Sequence, residues 1–282
     1  MAENLQLLKR RIKTSKNVSQ IAKAMEMMSA SKIKKAQKTV EGNKPYAKRL
    51  ELLTSQLIKN AKENKFTHPY IDGNASQKKL LVVISPDRGL CGSLNTNLYK
   101  ALLPLEDKNT TVVTIGKKAE SFVVKSNFEL LASFIMGTTI PSYSTVYELM
   151  RLIDELYKTE KVGTVDILYT EFKSFFLQTP VIHRVLPIDT TTLEENNGAY
   201  HIYEPGAHLL LASLLPQYLE AALYSALLEA HTSEQVARMV AMQNAKTNAN
   251  EIATYLTLAY NKSRQERITN EILDLSNNQV AI

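Results

Sequence analysis

Ser233-Glu234-Gln235-Val236-Ala237-Arg238-Met239-Val240-Ala241-Met242-Gln243-Asn244-Ala245-Lys246-Thr247-Asn248-Ala249-Asn250-Glu251-Ile252-Ala253 puts an alanine at every fourth place. Residues four apart share one face of an α-helix, so Ala237, Ala241, Ala245, Ala249 and Ala253 form one low ridge that a second helix can approach closely. Neither Pro nor Gly occurs from Ser233 to Ile272, nor in the first forty residues. Two long terminal helices enclosing a different kind of middle predict an antiparallel coiled coil with a domain inserted at one end.

The N-terminal partner is residues 3–60. Leu5, Leu8, Ile12, Val18, Ile21, Met25, Met28, Ile33, Ala36, Val40, Ala47, Leu50 and Leu57 recur at a mean period near 3.5 residues and are read as its seam. Gly42 and Pro45 interrupt it, and Pro45, lacking an N–H, is expected to bend or split the helix. If continuous, such a helix spans on the order of 80 Å at ~1.5 Å per residue. Helix resumes at Ala207, with Pro216 as a kink or a first-turn proline, and its seam runs through Leu211, Leu215, Tyr218, Ala222 and Ala226. Residues 237–265 are then small or polar, which composition reads first as a close-packed alanine coil with ordinary solvated faces and second as a slim shaft that does not adhere to its surroundings.

The middle alternates strand and helix. Leu80–Ile84 is a continuous apolar run, as in a strand covered on both faces. A helix at Thr96–Leu103, a strand at Thr111–Ile115, a helix at Lys117–Lys125 and a weaker strand at Leu130–Ile135 follow. Thr145 with Glu148 reads as a capping box opening a helix to Tyr157, and Val165–Phe172 and Pro180–Pro187 are two more strands. Residues 61–77 and 188–206 read as loops. The fold class is therefore α/β: a coiled-coil shaft of residues 1–60 and 207–282, and an inserted Rossmann-like α/β domain of residues 78–200.

Composition sets bounds. The chain has 282 residues, 44% of them hydrophobic and 22% charged, with no apolar run near the ~20 residues of a membrane span. No signal peptide is read at the N-terminus. The lone Cys91 excludes an intrachain disulfide, and none of the five histidines stands at ligand spacing from another His or Cys, so no metal site is expected. Residues 1–50 carry thirteen Lys/Arg against three Asp/Glu, whereas residues 201–282 carry five against eight. This asymmetry calls for an acidic partner, for attraction between the two helices, or for both.

One stretch looks like chemistry. Ser85-Pro86-Asp87-Arg88-Gly89-Leu90-Cys91-Gly92-Ser93-Leu94-Asn95 follows a strand and opens a helix, the place where α/β domains cradle phosphate. Arg88 would hold an anion there and Asp87 a metal. Against this, neither glycine-rich fingerprint is present. The plainer reading has Gly89 and Gly92 making a tight turn, Asp87 and Arg88 pairing locally, and Cys91 filling the core. A basic coiled coil binding nucleic acid is a third reading, resting on the Lys/Arg density of residues 9–49, though Tyr46 is the sole aromatic there to stack on bases.

Three stretches together resemble the gamma subunit of the F-type (rotary) ATP synthases. They are Ile21-Ala22-Lys23-Ala24-Met25-Glu26-Met27-Met28-Ser29-Ala30-Ser31-Lys32, then Asp87–Asn95, then Ser233–Met242 continuing through Tyr260-Asn261-Lys262-Ser263-Arg264-Gln265 and Ile268-Thr269-Asn270-Glu271-Ile272. Order and spacing also fit, over essentially the whole chain. The resemblance implies a non-catalytic central shaft without cofactor, inside a hexamer of alpha and beta subunits, its foot on a c-ring with the epsilon subunit beside it. No nucleic acid and no direct bilayer insertion are implied. Lys23, Met25, Lys32, Arg238, Gln265 and Thr269 fall at positions implied to contact beta, and Tyr203 and Glu204 at positions implied to contact the ring or epsilon. The lack of a transit peptide points to a bacterial protein, peripheral on the cytoplasmic side of the inner membrane. Two departures stand out: Asn278-Gln279 replaces a Gly-Ala common near the end of the family's last helix, and the second cysteine pair of the thiol-regulated chloroplast branch is absent.

Overall fold

A computed structural model describes residues 5–63, 67–189, 203–204 and 206–280. It contains α1 (Leu5–Glu63), α2 (Pro69–Asp72), β1 (Lys79–Ile84), α3 (Leu94–Leu102), β2 (Thr110–Ile115), α4 (Lys117–Val123), β3 (Glu129–Phe134), α5 (Tyr143–Lys158), β4 (Thr164–Phe172), β5 (Gln178–Leu186) and α6 (Ala207–Val280). Every strand read from the sequence is present. The chain divides into two compact units, Met1–Ser29 with Arg238–Ile282, and Ala30–Ala237.

The larger unit is built on a five-stranded sheet of order β3-β2-β1-β4-β5. β1 pairs in parallel with β2 and β4, and β2 with β3; β5 is antiparallel to β4. The five residues between β4 and β5 leave room only for a hairpin, because a parallel crossover needs a dozen or more. The central strand β1 is buried from Leu80 to Ile84 because helices cover both faces. On one face Leu81, Val83, Val112 and Leu168 pack with Leu98 and Leu102 of α3 and Ala119 and Val123 of α4. On the other, Leu80, Val82, Ile84, Val113 and Ile167 pack with α5, with Leu57 and Ile58 of α1, and with Leu211, Leu215, Leu219, Leu223 and Leu227 of α6. Each buried leucine contributes about 1.5–3 kcal/mol, and the apolar four-residue rhythm of α6 follows from that face.

Several local expectations change. Pro45 and Pro216 both lie inside continuous helices. Pro45 is exposed, and Pro216 is far from the first turn of α6. Helix α5 begins at Tyr143 with Ser142 as its N-cap, so Thr145 and Glu148 form no capping box. The stretch read as loop around Pro69 is a helical turn. Its first-position proline needs no N–H partner, His68 Nδ1 accepts from the Tyr70 N–H at 3.2 Å, and Asp72 Oδ2 accepts from the His68 N–H at 2.8 Å. Tyr70 is thereby planted in the core, with its hydroxyl on Asp154.

The smaller unit is a helix pair, and its seam is displaced from the expected one. Along α1 the enclosed line is Leu5, Leu8, Ile12, Ser15, Ser19, Ala22, Glu26 and Ser29, in alternating steps of three and four. Along α6 it is Met242, Lys246, Ala249, Ala253, Leu256, Tyr260 and Ser263. Both lines follow a heptad, so the alanine ridge of step four contributes only where it crosses the seam. Val18, Ile21 and Met28, read as seam residues, stand one residue off the line; Ile21 is 61% and Met28 57% exposed. The physical reason is the partner. Ala249 and Ala253 let the helices come close, and a close contact admits Ser19 and Ala22 but not Ile21. Described residues of α6 beyond Ser263 are exposed, while α1 begins at Leu5. With Lys246 Nζ 2.6 Å from Glu26 Oε2, this sets the two segments antiparallel.

Candidate functional site

The turn after β1 has the geometry of a phosphate cradle with its donors already used. The first three N–H groups of α4 are satisfied from within the chain. Lys117 N–H donates to Asp87 Oδ1 at 2.9 Å, Lys118 N–H to the Pro86 carbonyl at 3.2 Å, and Ala119 N–H to Ser85 Oγ at 2.8 Å. A helix N-terminus attracts an anion through these free amides, and here the Asp87 carboxylate is that anion. Its other oxygen accepts from the Gly137 N–H at 2.7 Å, pinning the loop after β3. Gly116 makes this approach possible, with φ +104° and a position where a Cβ would stand 1.9 Å from the Ser85 carbonyl oxygen.

The neighbouring turn into α3 is closed as well. Cys91 and Leu94 are buried against Ala237 of α6. Leu90 and Gly92 take left-handed φ of 63° and 59°, so the tight turn uses Leu90 where Gly89 was expected. Cys91 is core, as read. Asp87 spends its carboxylate on two backbone amides, of Lys117 and Gly137. Among the described residues no group of three or more His, Cys, Asp or Glu side chains is arranged to hold a metal ion.

What remains available is surface. Lys9, Arg10, Arg11, Lys13, Lys16 and Lys23 are all exposed on α1, and Met25 is half-buried beside the seam. On α6, Ile252, Tyr255, Leu258, Ile268 and Ile272 are exposed large apolar residues. Isolated exposed apolar residues need no explanation, but so many on one helix pair mark a surface that another protein covers. Gln265 and Thr269 are exposed one turn apart, with Thr269 Oγ1 donating to the Gln265 carbonyl at 2.9 Å. Arg238 is buried, at 9% exposure. Lys32 belongs to the larger unit, where its ammonium donates to the Thr138 carbonyl at 2.6 Å. Tyr203 is half-buried against the sheet core and Glu204 is exposed. The side chains of Asn278 and Gln279 lie outside the described residues, as does Pro205.

A second electrostatic feature escaped the sequence reading. Glu229 of α6 lies near Tyr169 and Glu171 of β4. Burial raises its pKa above the ordinary carboxylate value and the Glu171 charge raises it further, against a smaller lowering by the tyrosine. Its Oε2 is buried with no hydrogen-bond partner.

A sequence model of the ATP synthase family matches residues 4–281. The ATP synthase gamma chain of Dehalococcoides mccartyi (strain CBDB1) is 37% identical over 282 residues, covering 99% of this chain and 99% of the relative. This chain belongs to the ATP synthase gamma chain family. The gamma chain of Desulforamulus reducens is 35% identical, with 98% of each chain covered. In fold the chain is similar to a chain of the Euglena gracilis mitochondrial ATP synthase solved as OSCP/F1/c-ring in rotational state 3, with TM-score 0.70, 19% identity, and 98% of this chain and 94% of that one covered. It is also similar to a chain of the Tetrahymena thermophila mitochondrial ATP synthase central stalk and c-ring structure, with TM-score 0.62, 23% identity, and 80% and 99% covered. Neither the nucleic-acid nor the nucleotide-enzyme reading is supported, and the second also fails on the filled amides of α4. No helix among the described residues is long and apolar enough to cross a membrane.

Proposed function

We propose that this gamma chain is the rotating, non-catalytic shaft of a proton-translocating ATP synthase. Rotation of a membrane ring of c subunits turns it, and its asymmetry drives the catalytic beta subunits through their conformations in turn. It works as one copy per complex, with alpha and beta subunits around residues 1–60 and 207–282, and epsilon and the ring against residues 78–200. It is held peripherally on the cytoplasmic side of a bacterial inner membrane. Lys23, Met25, Lys32, Arg238, Gln265 and Thr269 are assigned to beta, with exposed Lys23 meeting acidic loops; Tyr203 and Glu204 are assigned to the ring or epsilon. The observation that carries the reading is the seam of the helix pair, which encloses Ser19, Ala22, Ser29, Ala249 and Ala253 while Ile21, Met28, Ile252, Tyr255 and Leu258 stand exposed. Such a pair keeps together through its seam while offering a surrounding sleeve an exterior of basic and apolar side chains.

The test is reconstitution. The isolated chain should hydrolyse no ATP, and mixed with alpha and beta subunits it should restore ATPase; with epsilon and the membrane sector that ATPase should pump protons into vesicles. Failure to join the alpha–beta hexamer would count decisively against the proposal.

A further inference from the structure

We infer that the free edge of β3 is a docking site for an extended strand of another polypeptide, one with apolar side chains at alternate positions and a basic residue beside them. Among the described residues β3 is the outer strand of the sheet and pairs only with β2. The Phe134 carbonyl accepts from the Gly116 N–H at 2.8 Å and so points at β2. Across a trans peptide the Ile135 N–H must then point away from β2. The alternation of a strand turns the Ser133 carbonyl the same way. One donor and one acceptor, spaced as in a ladder, thus face outward.

Edge strands are normally blunted by lysine, proline or a bulge. The opposite edge, β5, carries Pro180 and a register shift near its far end. Glu129-Leu130-Leu131-Ala132-Ser133-Phe134-Ile135-Met136 has neither Lys nor Pro. Its one irregularity, opposite Val112/Val113, falls at Leu131 and leaves the stretch from Ala132 onward regular. Beside that stretch lies a cavity of about 570 Å³ lined by Ala132, Phe134, Tyr147, Glu148, Arg151, Leu152 and Glu155. A free edge next to a helix-walled groove is the arrangement in which main-chain bonds hold a strand and the groove receives alternate side chains. Exposed Glu148 and Glu155 outnumber Arg151 on the rim, which selects a basic residue on the incoming strand.

This goes beyond the central-stalk reading, since the chain can join the hexamer with the β3 edge open. The experiment compares amide hydrogen exchange of residues 131–136 in the isolated full chain and in the purified intact complex. The expected result is at least about tenfold slower exchange at Ile135 in the complex, partly reversed by Glu148→Lys with Glu155→Lys, both at exposed positions. Equal exchange in the two samples overturns the inference while copurification with beta still upholds the stalk reading. Slowing in the isolated chain that grows with its concentration assigns the edge to a second copy, and also overturns it.

Discussion

Lys246 Nζ lies 2.6 Å from Glu26 Oε2, and both residues occupy seam positions in the antiparallel helix pair. Their side chains are only 28% and 22% exposed, so the pair is partly removed from water. Such a pair adds little net stability over an apolar one, yet losing one member leaves the other uncompensated, and a polar seam pair fixes register. Glu26→Gln and Lys246→Gln should each destabilise the chain by about 1–2 kcal/mol. The exchange Glu26→Lys with Lys246→Glu should recover most of the loss. Chemical denaturation of the parent, the two single variants, the double variant Glu26→Gln with Lys246→Gln, and the exchange measures this, and additive losses with no recovery in the exchange would show that the seam is indifferent to the pair.

The small residues of the seam should tolerate enlargement poorly. Ser19, Ala22, Ala249 and Ala253 are all buried. Ala22→Leu or Ala253→Leu forces the helices apart, at a cost of about 1–3 kcal/mol. Ile21→Gln and Met28→Gln change exposed positions, and should leave the isolated chain's melting point within about 1–2 °C, since surface substitutions rarely exceed ~0.5 kcal/mol. The same two substitutions should weaken assembly with alpha and beta, read as a shift in the concentration needed to restore ATPase. A melting point lowered by Ile21→Gln as much as by Ala22→Leu would place Ile21 inside the seam after all.

At the turn after β1, Gly116→Ala should be far costlier than its size implies. The added Cβ meets the Ser85 carbonyl oxygen at 1.9 Å in a left-handed backbone, so β1 and α4 must separate. A loss above about 3 kcal/mol, or insoluble protein, is expected. Asp87→Ala frees the Lys117 and Gly137 amides and should cost about 1–3 kcal/mol. Phosphate added to Asp87→Ala, but not to the parent chain, should raise the melting point, because the helix terminus loses its own anion. No phosphate effect on either protein would mean that Asp87 does not stand in for one.

Legibility of the sequence divides by mechanism. Strands and their order in the chain could be read because β1 is apolar on both faces and each strand is punctuated by Gly, Pro or Asp. Both terminal helices could be read because long Gly- and Pro-free runs leave few alternatives. The seam could not, because two lines of residues, Val18-Ile21-Met28 and Ser19-Ala22-Ser29, share one period a residue apart. Choosing the more hydrophobic line is right for a helix packed on a core. It fails for a pair whose closeness is set by Ala249 and Ala253. The tie of Glu26 to Lys246 and of Asp87 to Gly137 spans 220 and 50 residues, and no local pattern announces either.

Glu229 makes stability depend on pH. Its folded pKa is raised above the ordinary 4.5, chiefly by burial and then by Glu171, so the folded chain binds a proton more tightly than the unfolded one. The stabilisation is fully present below the unfolded pKa and is lost as pH rises through the raised folded value. From about pH 4.5 upward this residue therefore works against folding, with the charged carboxylate half-buried beside Glu171 and its Oε2 without a partner. Glu229→Gln keeps the size of the side chain and carries no charge at any pH. It should melt higher than the parent chain at pH 8 and close to it at pH 4.5, so the two melting curves converge on acidification. Glu171→Gln should give a smaller gain at pH 8, since it removes the secondary cause and leaves the burial. A difference between Glu229→Gln and parent that stays constant from pH 4.5 to 8 would mean that Glu229 titrates alike in the folded and unfolded chains.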